Sequence, residues 1–328
     1  MPILTYREAL NQALREEMRA DPDVFLIGEE VAEYQGAYKV SEGLLAEFGA
    51  RRVIDTPISE EAIAGAGVGA AMAGLKPVVE MMTVNFSLLA LDQIVNHAAK
   101  YYYMSGGQSN VPMVMRAPPG VGPHLGAQHS QNFESWFVHV PGLKVVLPAT
   151  PADAKGLLKS AIRDPDPVIF LEHELIYLSK GEVPAEDYAV PLGVADVKRE
   201  GADVTIITYS RMTLFALKAA ERLAERGISA EVVDLRTLRP LDIDTVVESV
   251  RKTHRAVVCE EDWPMCGMAA EVIAQIQTEA FDDLDAPILR VSGVDVPMPY
   301  AKNLEKMAVP GEEDVYQACL RVTEGHRD

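Results

Sequence analysis

Apolar positions along this chain switch back and forth between two spacings. From Tyr6 to Met18 they recur at the period of an amphipathic helix, and Val24 to Gly28 is a short apolar run that predicts a strand. Val53 to Asp55 predicts the next strand, Glu60 to Gly74 a helix, Pro77 to Thr83 a strand, and Ala90 to Tyr103 a helix. Val111 to Arg116, Leu143 to Leu147 and Pro167 to Glu172 read as further strands, with Asp153 to Arg163 as the helix between the last two. Short β-branched runs separated by helices predict an α/β fold with a mostly parallel sheet. Residues 181–193 carry Pro184 and Pro191 and follow neither period, which predicts a linker. The alternation then restarts. Strands are expected at Val204 to Thr208, Ala230 to Leu235, Ala256 to Cys259 and Ile288 to Val291, and helices at Leu214 to Arg226, Ile243 to Lys252 and Ala269 to Glu279. Two domains follow, residues 1–180 and 194–328, each a mostly parallel sheet flanked by helices.

The helix expected from Glu60 is unusual. After Glu60 and Glu61 it consists almost only of Gly, Ala, Val, Ile and Met. A helix this small can be approached closely on every side, so a carboxylate at its mouth sits beside a crowded interior. Acidic residues in a first turn complement the helix dipole by about 0.3–1 kcal/mol; a poorly solvated carboxylate is also suited to proton chemistry on a buried ligand. Spacing alone leaves both readings open. The run Gly65, Gly67, Gly69 is no dinucleotide fingerprint, because it lies well inside the helix rather than at a strand end. Glycine inside a helix costs on the order of 1 kcal/mol against alanine, so close packing is expected, with a subunit interface as its cause. Between the strands near 111 and 143 lies the loop RAPPGVGPHLGAQHSQNFESW, with His124 and His129. Their spacing matches no metal pattern; each serves as a surface hydrogen-bonding histidine or as a general acid near neutral pH.

Composition narrows the function classes. A net charge of −19 argues against nucleic acid or an anionic membrane as partner. No apolar run is long enough for a span, and the acidic, helix-like N-terminus does not read as a secretory leader, so a cytoplasmic location, or a mature form with its address removed, is expected. Cys259, Cys266 and Cys319 form no C-x-x-C pair and read as free thiols. There is no P-loop, no G-x-S-x-G and no other recognisable phosphate–magnesium motif. A phosphorylated cofactor would need a partner chain to hold its phosphate.

Several blocks carry a resemblance: FLIGEEVAEYQGAYKV (25–40), DTPISEEAIAGAGVGAAMAG (55–74), NFSLLALDQIVNHAAKYYYMSGG (85–107), AQHSQ (127–131), PGLKVVLP (141–148), DAKGLLKSAIRDPDPVIFLE (153–172), DLRTLRPLD (234–242) and DVPMPYA (295–301). The chain resembles the β subunits of 2-oxo acid dehydrogenases, and most closely those of the pyruvate-decarboxylating component, from residue 3 to about 320. The resemblance implies a transketolase-like pyrimidine domain followed by a transketolase C-terminal-type domain. It also implies a heterotetramer of two α and two β chains, with thiamine diphosphate at the α–β interface and Mg²⁺ held by the α subunit. Pyruvate would be decarboxylated and its acetyl group passed to a lipoyl domain of an acyltransferase core, for which the second domain would offer a docking surface.

By position, Glu60 matches the carboxylate that hydrogen-bonds the aminopyrimidine and promotes deprotonation of the thiazolium carbon. Phe86 would stack on the pyrimidine, Ile58 and Met82 would line it, and Glu29 would sit behind it. His129 matches the channel histidine that assists acyl transfer as a proton donor. A structural K⁺ held mainly by backbone oxygens would map to Ala161, Ile162, Asp164 and Asp166. The extra histidine and prolines of PPGVGPHLGAQHSQ, and Leu89 in place of a polar residue, depart from the family pattern on the substrate side. Branched-chain 2-oxo acid and acetoin dehydrogenase β subunits are the alternatives within the class, and a non-catalytic scaffold subunit is the alternative outside it.

Overall fold

The computed structural model describes residues 1–324, so residues 325–328 of the expected second domain lie outside the described residues. The chain forms two compact units: residues 1–119 with 136–192, and residues 120–135 with the chain from Gly193 onward.

In the first unit the strands run, in spatial order, Lys144–Val146, Val168–Leu171, Val114–Ala117, Lys76–Glu80, Val24–Gly28 and Val53–Asp55, every pairing among them parallel. Continuous burial of Val24–Gly28, Val114–Ala117 and Val168–Leu171 explains why they read as unbroken apolar runs rather than alternating ones. Helix Tyr6–Ala20 starts at a capping box in which Thr5 Oγ1 accepts from Glu8 N at 3.3 Å and Glu8 Oε2 accepts from Thr5 N at 2.7 Å. It packs on helix Pro151–Arg163. There the buried ammonium groups of Lys155 and Lys159 donate to Glu16 at 2.7 and 2.6 Å. Residues Ile3–Thr5 pair antiparallel with Lys180–Glu182, so the start of the segment expected as a linker is a strand.

The small-residue helix spans Glu60–Met72. Gly67 is needed inside the unit: a Cβ there would meet Val79 Cγ2 at 2.5 Å and Met113 Sδ at 3.1 Å. A Cβ on Gly69 would meet nothing within 4 Å. The single helix expected from Ala90 to Tyr103 is instead three pieces: a 3₁₀ segment Val84–Ala90, a π turn Asp92–Ala98 and an α turn Ala99–Met104. Apolar spacing cannot separate these pitches, because the 3₁₀ and π segments both pack on the small-residue helix, where Gln93 Oε1 would lie 3.4 Å from a Cβ on Gly65.

The second unit is a five-stranded sheet ordered Leu289–Val291, Ala256–Cys259, Val204–Thr208, Ala230–Asp234 and Asp196–Arg199, the last antiparallel and the others parallel. Helices Arg211–Ala224 and Glu312–Glu324 cover one side through Met212, Ala216, Leu223, Val315 and Cys319. Cys259 and Cys319 are buried free thiols of this core, and burial pushes the Cys319 thiol up to about 12. Cys266 is an exposed free thiol. Among the described residues no helix is long and apolar enough to cross a membrane.

Candidate active site

A parallel sheet collects its strand ends along one edge, and residues just beyond those ends share a crevice. In the first unit three neighbouring strands do this. Val53–Asp55 leads to Ile58 and Glu60, Val24–Gly28 to Glu29, and Lys76–Glu80 to Met82 and Phe86. Backbone hydrogen bonds fix these loops. Asp55 accepts from Ala32 N at 2.7 Å and Glu33 N at 3.0 Å, which ties the Glu29 loop to the neighbouring strand end. Met81 N donates to Arg116 O at 2.9 Å and Val84 N to Pro118 O at 3.0 Å.

Glu29 and Glu60 are buried side by side, 7% and 6% exposed. Burial raises the Glu29 carboxyl above its usual range, and the charge of Glu60 and a hydrogen bond with it raise it further. Glu29 Oε1 is buried without a hydrogen-bond partner. Such an acceptor costs about 1–3 kcal/mol until something donates to it. Beyond the same strand ends, Ile58 is 82% exposed and Met82 and Phe86 are half-buried. An acid pair with an orphaned acceptor, flanked by accessible apolar surface, fits a flat nitrogen heterocycle that carries N–H donors.

The transketolase pyrimidine-binding domain family matches residues 3–179, and the transketolase C-terminal domain family matches residues 193–315. The pyruvate dehydrogenase E1 component subunit beta of Rhizobium meliloti (strain 1021) is 56% identical over 98% of this chain and 70% of its own length. The mitochondrial subunit beta-1 of the same component in Arabidopsis thaliana is 56% identical over 97% of this chain and 89% of its own. The chain belongs to the pyruvate dehydrogenase E1 β-subunit family. The corresponding subunit of Rickettsia felis is 54% identical over 97% of this chain and 98% of its own. A solved structure described as a split-gene transketolase, an inactive β4 tetramer, superposes with a TM-score of 0.79 at 25% identity, covering 99% of each chain.

In this E1 β-subunit fold His129 is exposed, in the middle of loop 120–135 of the second unit, whose ends are buried. His124, also on that loop, has φ +63°; its N–H donates to Glu305 Oε2 at 3.0 Å and its Nδ1 lies 3.1 Å from Glu305 Oε1. Of the residues expected at a K⁺ site, Asp164 and Asp166 are engaged by a lysine. Ala161 and Ile162 close helix Pro151–Arg163, and Lys144 Nζ lies 2.7 Å from both carboxylate oxygens of Asp164 and 3.2 Å from Asp166. Burial alone would lower the Lys144 pKa, but the two carboxylates override it and raise it. Among the described residues no group of three or more His, Cys, Asp or Glu is placed to hold a metal ion.

One network at the same sheet edge escaped the sequence reading. Arg116, 2% exposed, donates to Glu172 at 2.6 and 2.7 Å in a bidentate pair and also to Glu80. Tyr177 Oη donates to Glu172 at 2.6 Å, and Tyr38 stacks on Tyr177 at 5.1 Å. Burial raises the Glu80 carboxyl, while Arg116 opposes that shift. The signal was present: Glu80, Arg116 and Glu172 are the charged residues at or just after the ends of three apolar strands.

Proposed function

We propose that this chain is the β half of a thiamine-diphosphate enzyme that oxidatively decarboxylates pyruvate and reductively acetylates a lipoyl domain. The observation that carries the reading is the buried Glu29–Glu60 pair with its orphaned acceptor, at the sheet edge of a chain that belongs to the E1 β-subunit family. Glu60 would hold a pyrimidine nitrogen, Glu29 would sit behind it, hydrogen-bonded to Glu60, and Phe86, Met82 and Ile58 would pack on the ring. When bound, thiamine diphosphate supplies a nucleophilic carbon and an electron sink for decarboxylation.

The protein's own contribution is electrostatic. Low dielectric at the strand ends would strengthen a Glu60 hydrogen bond to the ring beyond its value in water. His129 would deliver a proton during acyl transfer. The diphosphate and Mg²⁺ belong to an α subunit in this reading, with two α and two β chains in the assembly, and the lipoyl acyltransferase core is the downstream partner. A K⁺ near Ala161, Ile162, Asp164 and Asp166 would draw on backbone oxygens, since Lys144 already neutralises the two carboxylates. A cytoplasmic location is part of the same proposal and is checked by fractionation.

The test is a tagged pull-down from the native cell. The eluate is assayed for thiamine-diphosphate- and Mg²⁺-dependent CO₂ release from pyruvate and from a branched 2-oxo acid. Release from pyruvate with a co-eluting α chain is expected. Preference for the branched acid moves the assignment to the sister enzyme, and no release from either contradicts the reading.

A further inference from the structure

The second sheet has its own strand-end crevice. The chain leaves Val204–Thr208 on one side and Ala256–Cys259 on the other, and these adjacent parallel strands are where the strand order reverses. Such a switch point is the usual place for a ligand. Here it is filled from within the unit by the two ends of loop 120–135, which carries His129. The geometry points to Glu134 and Asp262 as positioning residues for His129: their carboxyls, buried in this crevice, form a clasp that fixes the end of the loop. The functional half of this inference rests on the role given to His129 above.

Each end of the loop is anchored. At the start, Val121 N donates to Glu261 Oε1 at 2.8 Å, and Glu261 is held by Arg211 at 2.8 Å. At the end, Glu134 is 1% exposed and accepts from Tyr209 Oη at 3.2 Å, while Ser135 Oγ donates to Asp262 Oδ2 at 3.1 Å. Asp262 Oδ1 accepts from Trp263 N at 2.7 Å, and Glu260 accepts from Ala269 N at 2.7 Å and Ser292 Oγ at 3.2 Å. The second Glu134 oxygen has no partner, nor have the hydroxyls of Thr208, Ser210 and Thr213. Ser210 turns the chain at φ +53° and ψ −142°, a strained conformation of the kind that persists where surrounding structure enforces it.

The charges facing Glu134 decide how the clasp behaves. Burial raises Glu134 well above the usual carboxylate range, and Asp262 and Glu260 raise it further, while Tyr209 opposes. Burial brings Glu260 to about 7, with Asp262 adding to the rise and Arg290 opposing it. Burial likewise brings Asp262 to about 6, and Glu261 adds to it. The nearby Arg211 is engaged by Glu261. A protonated Glu134 can donate to a neighbouring carboxylate; an ionised one adds a further like charge in a water-poor crevice. Each of these carboxyls has a raised folded-state pKa, so their stabilisation is complete at low pH and lost as pH rises through the raised values. The loop is therefore held at the acid end of the range and loosened at the alkaline end.

The test uses the complete enzyme reconstituted with its α subunit and thiamine diphosphate. Pyruvate oxidation is measured with an artificial electron acceptor, which bypasses the lipoyl domain, and separately with a lipoyl domain as acceptor, from about pH 6 to 9. In the wild type the ratio of lipoyl to dye rates should fall as pH rises across that range; in Glu134→Gln, which removes one of the three ionising carboxyls, it should fall by no more than about half as much. Equal falls in both proteins overturn the proposal. Amide hydrogen exchange over residues 120–135, corrected for intrinsic rates, reads the clasp without reference to catalysis. Protection should drop with pH in the wild type and drop less in Glu134→Gln, and identical pH profiles overturn the clasp. Full lipoyl reduction by His129→Ala, with the exchange difference intact, removes the catalytic role of His129 and leaves the clasp standing.

Discussion

Glu29 is the residue whose ionisation is most sensitive to its neighbours at the first site. Its folded-state pKa is raised, first by burial and then by Glu60. Its stabilisation is therefore complete below the ordinary carboxylate range near 4.3 and is lost as pH rises through the raised value. Replacing Glu29 with Gln removes that loss. The melting temperature of Glu29→Gln should match the wild type near about pH 4 and exceed it increasingly toward about pH 8. A difference that does not depend on pH would mean the two carboxylates are not coupled. Glu29 was legible in the sequence only through the resemblance, because a single acid after a strand carries no signal of its own. Its contact with Glu60 depends on the register of two parallel strands, which local spacing does not encode.

At the scale of elements, the small-residue helix separates two demands on glycine. Gly67 faces Val79 and Met113, so Gly67→Ala overpacks the helix–sheet contact and should cost about 1–3 kcal/mol in chemical denaturation of the isolated chain. Gly69 faces open space, so Gly69→Ala should stabilise the isolated chain by up to about 1 kcal/mol through helix propensity. Loss of assembly by Gly69→Ala in gel filtration with the α subunit would place that face at a subunit interface; unchanged assembly would assign the close packing to Gly67 alone. At the sheet edge, Arg116→Met strands Glu80 and Glu172 without their cation and should cost about 3–5 kcal/mol at neutral pH, with part of the loss recovered on acidification. Equilibrium unfolding at two pH values measures both. The buried strands and the long amphipathic helices were readable because their periods are set by burial on one or both faces. The 3₁₀–π–α succession of residues 84–104 was not, since small pitch changes keep the same face buried. The edge strand Asp196–Arg199 was also missed: its Asp, Lys and Arg hide a strand that pairs on one side only.

For the whole molecule, the account assigns the pyrimidine end of a cofactor to this chain and the diphosphate end to another. The isolated chain should gain less than about 1 °C in melting temperature from thiamine diphosphate and Mg²⁺, whereas the complex with an α chain should gain several degrees, because only a ligand bound to the folded state stabilises it. A large gain in the isolated chain would make it self-sufficient. The two-unit division was visible as a restart of the α/β alternation, but the membership of loop 120–135 in the second unit was not. That loop lies between two first-unit strands in sequence, and its attachment rests on side-chain contacts to Glu261, Asp262 and Glu305 more than a hundred residues away.

In the proposed function the Glu60 carboxylate, buried at the strand ends, would do its work on a bound aminopyrimidine. The most direct measurement is the turnover of pyruvate by the reconstituted complex with Glu60→Gln. Turnover should fall about 10²–10³-fold with assembly and melting temperature preserved. A variant complex that assembles normally and turns over pyruvate within about twofold of the wild type would contradict the account.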